Sequence, residues 1–122
     1  AQMCVTNDFC GKNLAIEHDG DVFSCDHYVY PEYRLGNICE LRLGDLAFSK
    51  AQVQFGMSKR ESLPDYCRRC DHLKDCWGEC PKNRLIGTPD GKPGLNYLCS
   101  GYRRFYAHAG PAIDTLVRGL DW

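Results

Sequence analysis

Nine cysteines lie along the 122 residues, at Cys4, Cys10, Cys25, Cys39, Cys67, Cys70, Cys76, Cys80 and Cys99. Thiols either pair as disulfides or bind soft metals as thiolates, and spacing separates the two uses. An odd number leaves one thiol over in any disulfide framework, and the chain opens without a basic-then-apolar leader. Cys67-x2-Cys70 is too close for an easy internal disulfide, yet it is the separation at which a tight turn aims two thiolates at one metal centre. Metal ligation is the expected chemistry.

The densest run is Cys67-x2-Cys70-x5-Cys76-x3-Cys80-Pro81. It is similar to the ferredoxin run C-x2-C-x2-C-x3-C-P, whose fourth cysteine ligates the other cluster of a two-cluster protein. By that analogy Cys80 leaves its neighbours, and Cys67, Cys70 and Cys76 take Cys99 as their fourth ligand. Cys80 then joins Cys4, Cys10 and Cys25. Two four-thiolate sites close the count, with Cys39 left over as a buried small hydrophobe. Zinc and iron–sulfur clusters both accept four thiolates, so spacing does not choose between them. His27 and His72 flank cysteines and could serve a Cys3His zinc site, but eight thiols already close two sites.

The wider pattern, Cys10-x9-Gly20-x4-Cys25 followed by the run from Cys67 to Cys80 and then Cys99, resembles the seven-cysteine signature of the SPASM domain. That domain is a C-terminal extension of radical S-adenosylmethionine enzymes and holds auxiliary 4Fe-4S clusters. Cys4 and the segment from Cys25-Asp26-His27-Tyr28 to Ile38 resemble the branch of anaerobic sulfatase-maturating enzymes. The resemblance implies an oxidoreductase that converts a sulfatase cysteine or serine to Cα-formylglycine. It further implies two 4Fe-4S clusters, one on Cys4, Cys10, Cys25 and Cys80 and one on Cys67, Cys70, Cys76 and Cys99. Asp26, directly after Cys25, is implied as the general base, and burial among aromatics would raise its pKa towards the working pH.

The C-x3-C-x2-C motif that binds S-adenosylmethionine and a third cluster is missing, because Cys76-x3-Cys80 continues as Pro-Lys-Asn. Residues 1–122 are therefore expected to be a single auxiliary-cluster domain, part of a longer cytoplasmic enzyme and inactive alone. Its implied partners are an N-terminal radical S-adenosylmethionine barrel of the same chain, a sulfatase polypeptide and an external electron donor or acceptor. Two rivals remain: a SPASM domain acting on a ribosomal peptide, and a zinc-binding interaction module. Zinc could also enter the thiolate cage of protein purified in air.

The elements that must position these thiols are few. Leu, Ile, Val and Phe number only 26 of 122 residues, so metal sites are expected to supply stability that a thin core lacks. A net charge of −1, from 15 basic and 16 acidic residues, argues against nucleic acid as a partner. No apolar run approaches the roughly 20 residues of a membrane span.

The expected fold is a small metal-stabilised α+β domain, with an N-terminal β-hairpin followed by short helices and loops wrapped around the two sites. Residues 14–18 and 21–24 form the hairpin about Asp19-Gly20, which brings Cys10 and Cys25 to one side. Residues 28–37 are expected as an irregular loop, 45–55 as a helix stopped by Gly56, and a short helix leads from residue 62 towards Cys70. The Gly- and Pro-rich residues 87–94 suggest a mobile loop, while residues 96–108 and 111–120 have the spacing of two helices. Trp77 is expected to shield a cluster, and Arg68-Arg69 and Arg103-Arg104 to offset cluster charge.

Overall fold

The computed structural model describes residues 3–120. It is an α+β chain with a three-stranded antiparallel sheet, a two-stranded ribbon and five helices among these residues. Strands β1 (Ala15–Ile16) and β2 (Asp21–Phe23) form the hairpin, with Ala15 opposite Phe23 and Ile16 opposite Val22. Its turn differs from a two-residue Asp-Gly loop. The Gly20 N–H donates to the Glu17 carbonyl at 3.0 Å, and Gly20, at φ +90°, is the turn residue with positive φ. Asp19 instead uses Oδ1 to accept the Asp21 N–H.

Residues 28–37 are more ordered than their Pro and Gly suggest. A 3-10 turn at Pro31–Tyr33 leads into β3 (Arg34–Asn37), which pairs with β2. Gly36 permits this because Leu46 lies directly above it: an added Cβ would meet Leu46 Cδ2 at 2.8 Å. Asp21 locks the edge by accepting from Arg34 at 2.6 Å and from Asn37 at 3.0 Å.

The helical stretch after β3 is two helices, α1 (Leu43–Ala47) and α2 (Lys50–Glu61). Ser49 starts the second, its hydroxyl accepting the Gln52 N–H at 3.2 Å, as an N-cap serine does. Gly56 does not stop α2. It sits mid-helix where the chain at Phe9 and Cys10 presses against it, and a Cβ there would lie 2.2 Å from Phe9 and 2.3 Å from the Cys10 carbonyl. Arg68 ends the helix by donating to the carbonyls of Arg60, Glu61 and Leu63.

Two short helices follow, α3 (Asp65–Arg68) and α4 (Leu73–Cys76). The Gly/Pro-rich stretch is a hairpin rather than a loop: β4 (Ile86–Gly87) pairs with β5 (Pro93–Leu95). Buried Thr88 organises its turn, donating to Asp90 and accepting from the Lys92 N–H. A single helix, α5 (Cys99–Arg118), replaces the two expected ones and carries Pro111 in its interior. The ring lacks an N–H, but the Pro111 carbonyl still accepts from the Thr115 hydroxyl at 2.9 Å.

The interior is small and mixed. Its buried apolar side chains are Val22, Phe23, Leu46, Leu63, Cys67 and Leu95, while the largest fully buried ones include Lys59 and Gln52. Among the described residues no helix is long and apolar enough to cross a membrane.

Candidate cluster-binding site

Cys4 stands on a 3-10 turn, Cys4–Thr6, tied down by the Lys59 ammonium. Lys59 Nζ donates to the carbonyls of Cys4 at 2.5 Å and Val5 at 3.0 Å. Cys10 docks on α2 through its N–H to the Gly56 carbonyl. Gln52, 1% exposed, spans the loops that carry Cys10 and Cys25: its Nε2 donates to Gly11 O at 2.7 Å and Ser24 O at 2.9 Å. Cys80 completes this neighbourhood, with its sulfur 3.4 Å from His27 Nδ1. Burial pushes the Cys10 thiol up, opposed by Lys59 and reinforced by Cys80 and Cys4. Burial also pushes Cys25 up to about 11, with Cys80 adding to the effect.

The second neighbourhood is more local. Cys67, Cys70, Cys76 and Cys99 line one partly open pocket. Tyr66, His72, Tyr102, Arg103 and Tyr106 share its wall. Leu63 and Leu95 pack with Cys67 beneath it, joined by Tyr66, Leu73 and Trp77. Burial pushes Cys67 up to about 11, with the charges of Cys99, Cys76 and Cys70 in the same direction. Trp77 thus packs on the apolar cluster, and Arg103 lies close enough to Cys99 to oppose the rise of its thiol pKa.

A left-handed turn separates Cys76 from Cys80. Trp77, Gly78 and Glu79 take φ of 48°, 70° and 55° in succession, conformations that cost non-glycine residues about 1–3 kcal/mol each. Gly78 is required for space as well, since a Cβ would meet Leu63 at 2.5 Å. Backbone hydrogen bonds from Gly78 and Glu79 oppose the burial that raises the Cys76 thiol. The Glu79 carboxylate holds the turn by accepting from Asn83 at 2.9 Å and Asn96 at 2.6 Å. Arg84 holds it from the other side, donating to Trp77 O and Gly78 O. Cys76 is thereby left facing one neighbourhood and Cys80 the other.

Three expectations need correction. Cys39 is exposed, not buried; its backbone N–H donates to Asn37 Oδ1 where the chain turns out of β3. Asp26 is also exposed, and its carboxyl is held below the usual range, chiefly by a hydrogen bond from the Cys25 thiol at 3.2 Å. Burial does not act on it as anticipated. Arg68 spends its guanidinium on the end of α2, whereas the buried cations among the thiols are Lys59 and Arg84, with Arg103 at the wall of the second group. Sequence offered no sign of those two, because only the fold shows which lysine and arginine lack water.

The chemistry of the donor set fits an iron–sulfur cluster: eight thiols fall into two all-sulfur groups, and thiolates are the usual holders of such clusters.

SPASM, an iron–sulfur cluster-binding domain, matches residues 4–71. The chain belongs to the SPASM family. It is 48% identical over 97% of its length to a serine-type anaerobic sulfatase-maturating enzyme of Bacteroides thetaiotaomicron, and covers 28% of that protein. A serine-type enzyme of Klebsiella pneumoniae is 36% identical over 97% of this chain and is covered to 28%. A cysteine-type enzyme of Clostridium perfringens is 32% identical over 96% of this chain and is covered to 31%. Native anSMEcpe with bound AdoMet and Kp18Cys peptide superposes with a TM-score of 0.81 at 28% identity, over 98% of this chain and 33% of that one. The SPASM chain thus spans under a third of the length of the curated relatives it matches.

Proposed function

We propose that this SPASM domain is the auxiliary-cluster part of an anaerobic sulfatase-maturating enzyme, a radical S-adenosylmethionine oxidoreductase that makes Cα-formylglycine from a sulfatase serine or cysteine. The observation that carries this is the 48% identity to a serine-type enzyme along nearly the whole chain.

Cys4, Cys10, Cys25 and Cys80 would hold one 4Fe-4S cluster and Cys67, Cys70, Cys76 and Cys99 the other. Bound clusters supply one-electron transfer. The chain's own residues exclude water from the second centre with Tyr66, Tyr102 and Tyr106 and hold the first with Lys59 and Gln52. Asp26 stands exposed beside Cys25, open to a peptide, and would accept the substrate proton at a carboxylate oxygen. Once Cys25 is a ligand thiolate, it has no proton to donate to Asp26, and that oxygen is released. The radical-generating cluster and S-adenosylmethionine would belong to a barrel in the same enzyme, with a sulfatase polypeptide and an external electron carrier as partners.

Anaerobic reconstitution with iron and sulfide tests the cluster part: about eight irons per chain are expected, the content of two 4Fe-4S clusters. Zinc retained in place of iron under those conditions would overturn it. For Asp26, the full-length enzyme carrying Asp26→Asn should still cleave S-adenosylmethionine while formylglycine formation falls by about 10²–10⁴-fold. Unchanged product yield would make Asp26 an ordinary turn carboxylate.

A further inference from the structure

Buried cations are costly unless an anion or full hydrogen bonding compensates them. Lys59 is 0% exposed, and its ammonium meets two backbone carbonyls, those of Cys4 and Val5. Arg84 is half-buried, and its guanidinium donates to Gly78 O, Trp77 O, Lys59 O and the Ser62 hydroxyl. Every one of these partners is neutral. The ion pairs among the described residues are Arg34 with Asp21 and Arg60 with Asp8, so neither buried cation meets a carboxylate. The two also repel each other.

The ionisable groups they do face are thiols, with Tyr28 beside Arg84 as well. Lys59 interacts with Cys10, Cys4 and Cys80, all of the first group. Arg84 interacts with Cys67 on one side and with Cys80 and Cys10 on the other. Its hydrogen bonds give the same location, since it grips the turn between Cys76 and Cys80 and the last turn of α2 together. Arg84 therefore stands between the groups, and Lys59 stands beside one.

We propose that Lys59 and Arg84 are buried counter-charges of the two clusters, Lys59 for the first alone and Arg84 for both, and that, with Arg103 at the wall of the second group, they tune how easily each cluster accepts an electron. This rests on the cluster reading above. Reduction adds one electron from an external low-potential donor, and a nearby positive charge stabilises the more negative product. Neutralising a cation must then make reduction harder, in the pattern the two positions dictate. Both act as positioning residues: Lys59 touches the Cys4 carbonyl and Arg84 the turn between Cys76 and Cys80, and neither touches the reacting atoms.

The test is a spectroscopically monitored reductive titration of the full chain, reconstituted with iron and sulfide, using dithionite and mediators. A Cys70→Ser background, which keeps only the first centre, identifies which potential is which. Glutamine keeps a donor for the carbonyls while removing charge. Lys59→Gln is expected to make the first cluster about tenfold harder to reduce, a 59 mV fall for one electron, and to leave the second within twofold. Arg84→Gln is expected to lower both, and Arg84→Lys, which keeps the charge, to leave both within twofold. Iron-loaded glutamine variants with unchanged potentials would overturn the inference, as would Lys59→Gln moving both clusters equally. Should Arg84→Gln lose iron, retention of iron and of wild-type potentials by Arg84→Lys supports it. Loss of iron from both variants would make the role purely structural and overturn it. Wild-type protein that takes up no iron fails the cluster reading instead.

Discussion

The two groups of thiols are held by opposite kinds of interior. Around Cys4, Cys10 and Cys25 the fully buried side chains are Lys59 and Gln52, and the fixing contacts are hydrogen bonds to Cys4 O, Gly11 O and Ser24 O. Around Cys67, Cys70, Cys76 and Cys99 the contacts are apolar, from Leu63 and Leu95 with Tyr66, Leu73 and Trp77. Chain path explains the difference. The first group gathers segments that are remote in sequence and carry little secondary structure, so their carbonyls need donors wherever they become buried. The second is built from α3, α4 and the start of α5, whose backbones are already paired. A polar scaffold depends on each single partner, because a lost donor leaves a buried acceptor unmet, whereas an apolar one tolerates exchanges that conserve volume.

The largest effect expected is loss of one centre at a time. Cys80→Ser should remove the first and Cys70→Ser the second, each lowering iron from about eight to about four per chain. Cys80 is the decisive case, since it lies four residues from Cys76 yet interacts with Cys4 and has His27 at its sulfur. Iron and sulfide analysis with absorption spectra checks this. If Cys80→Ser and Cys70→Ser deplete the same spectral species, the thiols are not shared out as the turn at residues 77–79 suggests.

Gly56→Ala comes next. The added Cβ meets the tip of the Phe9 ring and the Cys10 carbonyl, and because the carbonyl is backbone and cannot turn aside, α2 and the Cys10 loop must part. A loss of about 3 kcal/mol is expected, at the upper end for overpacking. Chemical denaturation measures it, and iron should be lost from the first centre while the second keeps its spectrum. Equal damage to both would mean that the polar scaffold is not a separate structural unit.

Gly56 also illustrates how much could be foreseen. Local rules place a glycine after an apolar helical run as a stop, and only the approach of residues 9 and 10 shows it to be a crossing point. Strand β3 was hidden for the same reason: Gly36 has poor strand propensity but suits a site under Leu46. Pro111 hid the continuity of α5, and turn-rich residues 87–94 concealed a hairpin pinned by Thr88. Legible from sequence were features written in short-range chemistry. These are the α+β class, the β1–β2 hairpin and the short helix that runs towards Cys70. Lys59 and Arg84 were invisible because burial of a cation is a property of the assembled fold.

A paired substitution measures the contrast between the scaffolds directly. Gln52→Leu keeps approximate volume but strips the donors from Gly11 O and Ser24 O, and should cost about 2 kcal/mol. Leu95→Met under the second group should cost under about 1.5 kcal/mol, as volume-conserving exchanges do. Urea unfolding of the metal-free protein gives both values on one scale. Should Leu95→Met prove the more damaging, the second interior is the more exacting of the two and the contrast is reversed.

The smallest effect is expected at Cys39. This thiol projects from the turn that leaves β3, and the hydrogen bond at the position, to Asn37 Oδ1, uses the backbone N–H and survives substitution. Cys39→Ser should therefore keep about eight irons and shift stability by no more than about 0.5 kcal/mol, the range of ordinary surface changes. It sets the zero against which the other thiols are judged, because it changes the same atom without belonging to either neighbourhood. Iron content after anaerobic reconstitution, compared with Cys80→Ser and Cys70→Ser prepared in parallel, is the measurement. A halved iron content in Cys39→Ser would show that an exposed ninth thiol replaces one of the eight, and both groups would have to be redrawn.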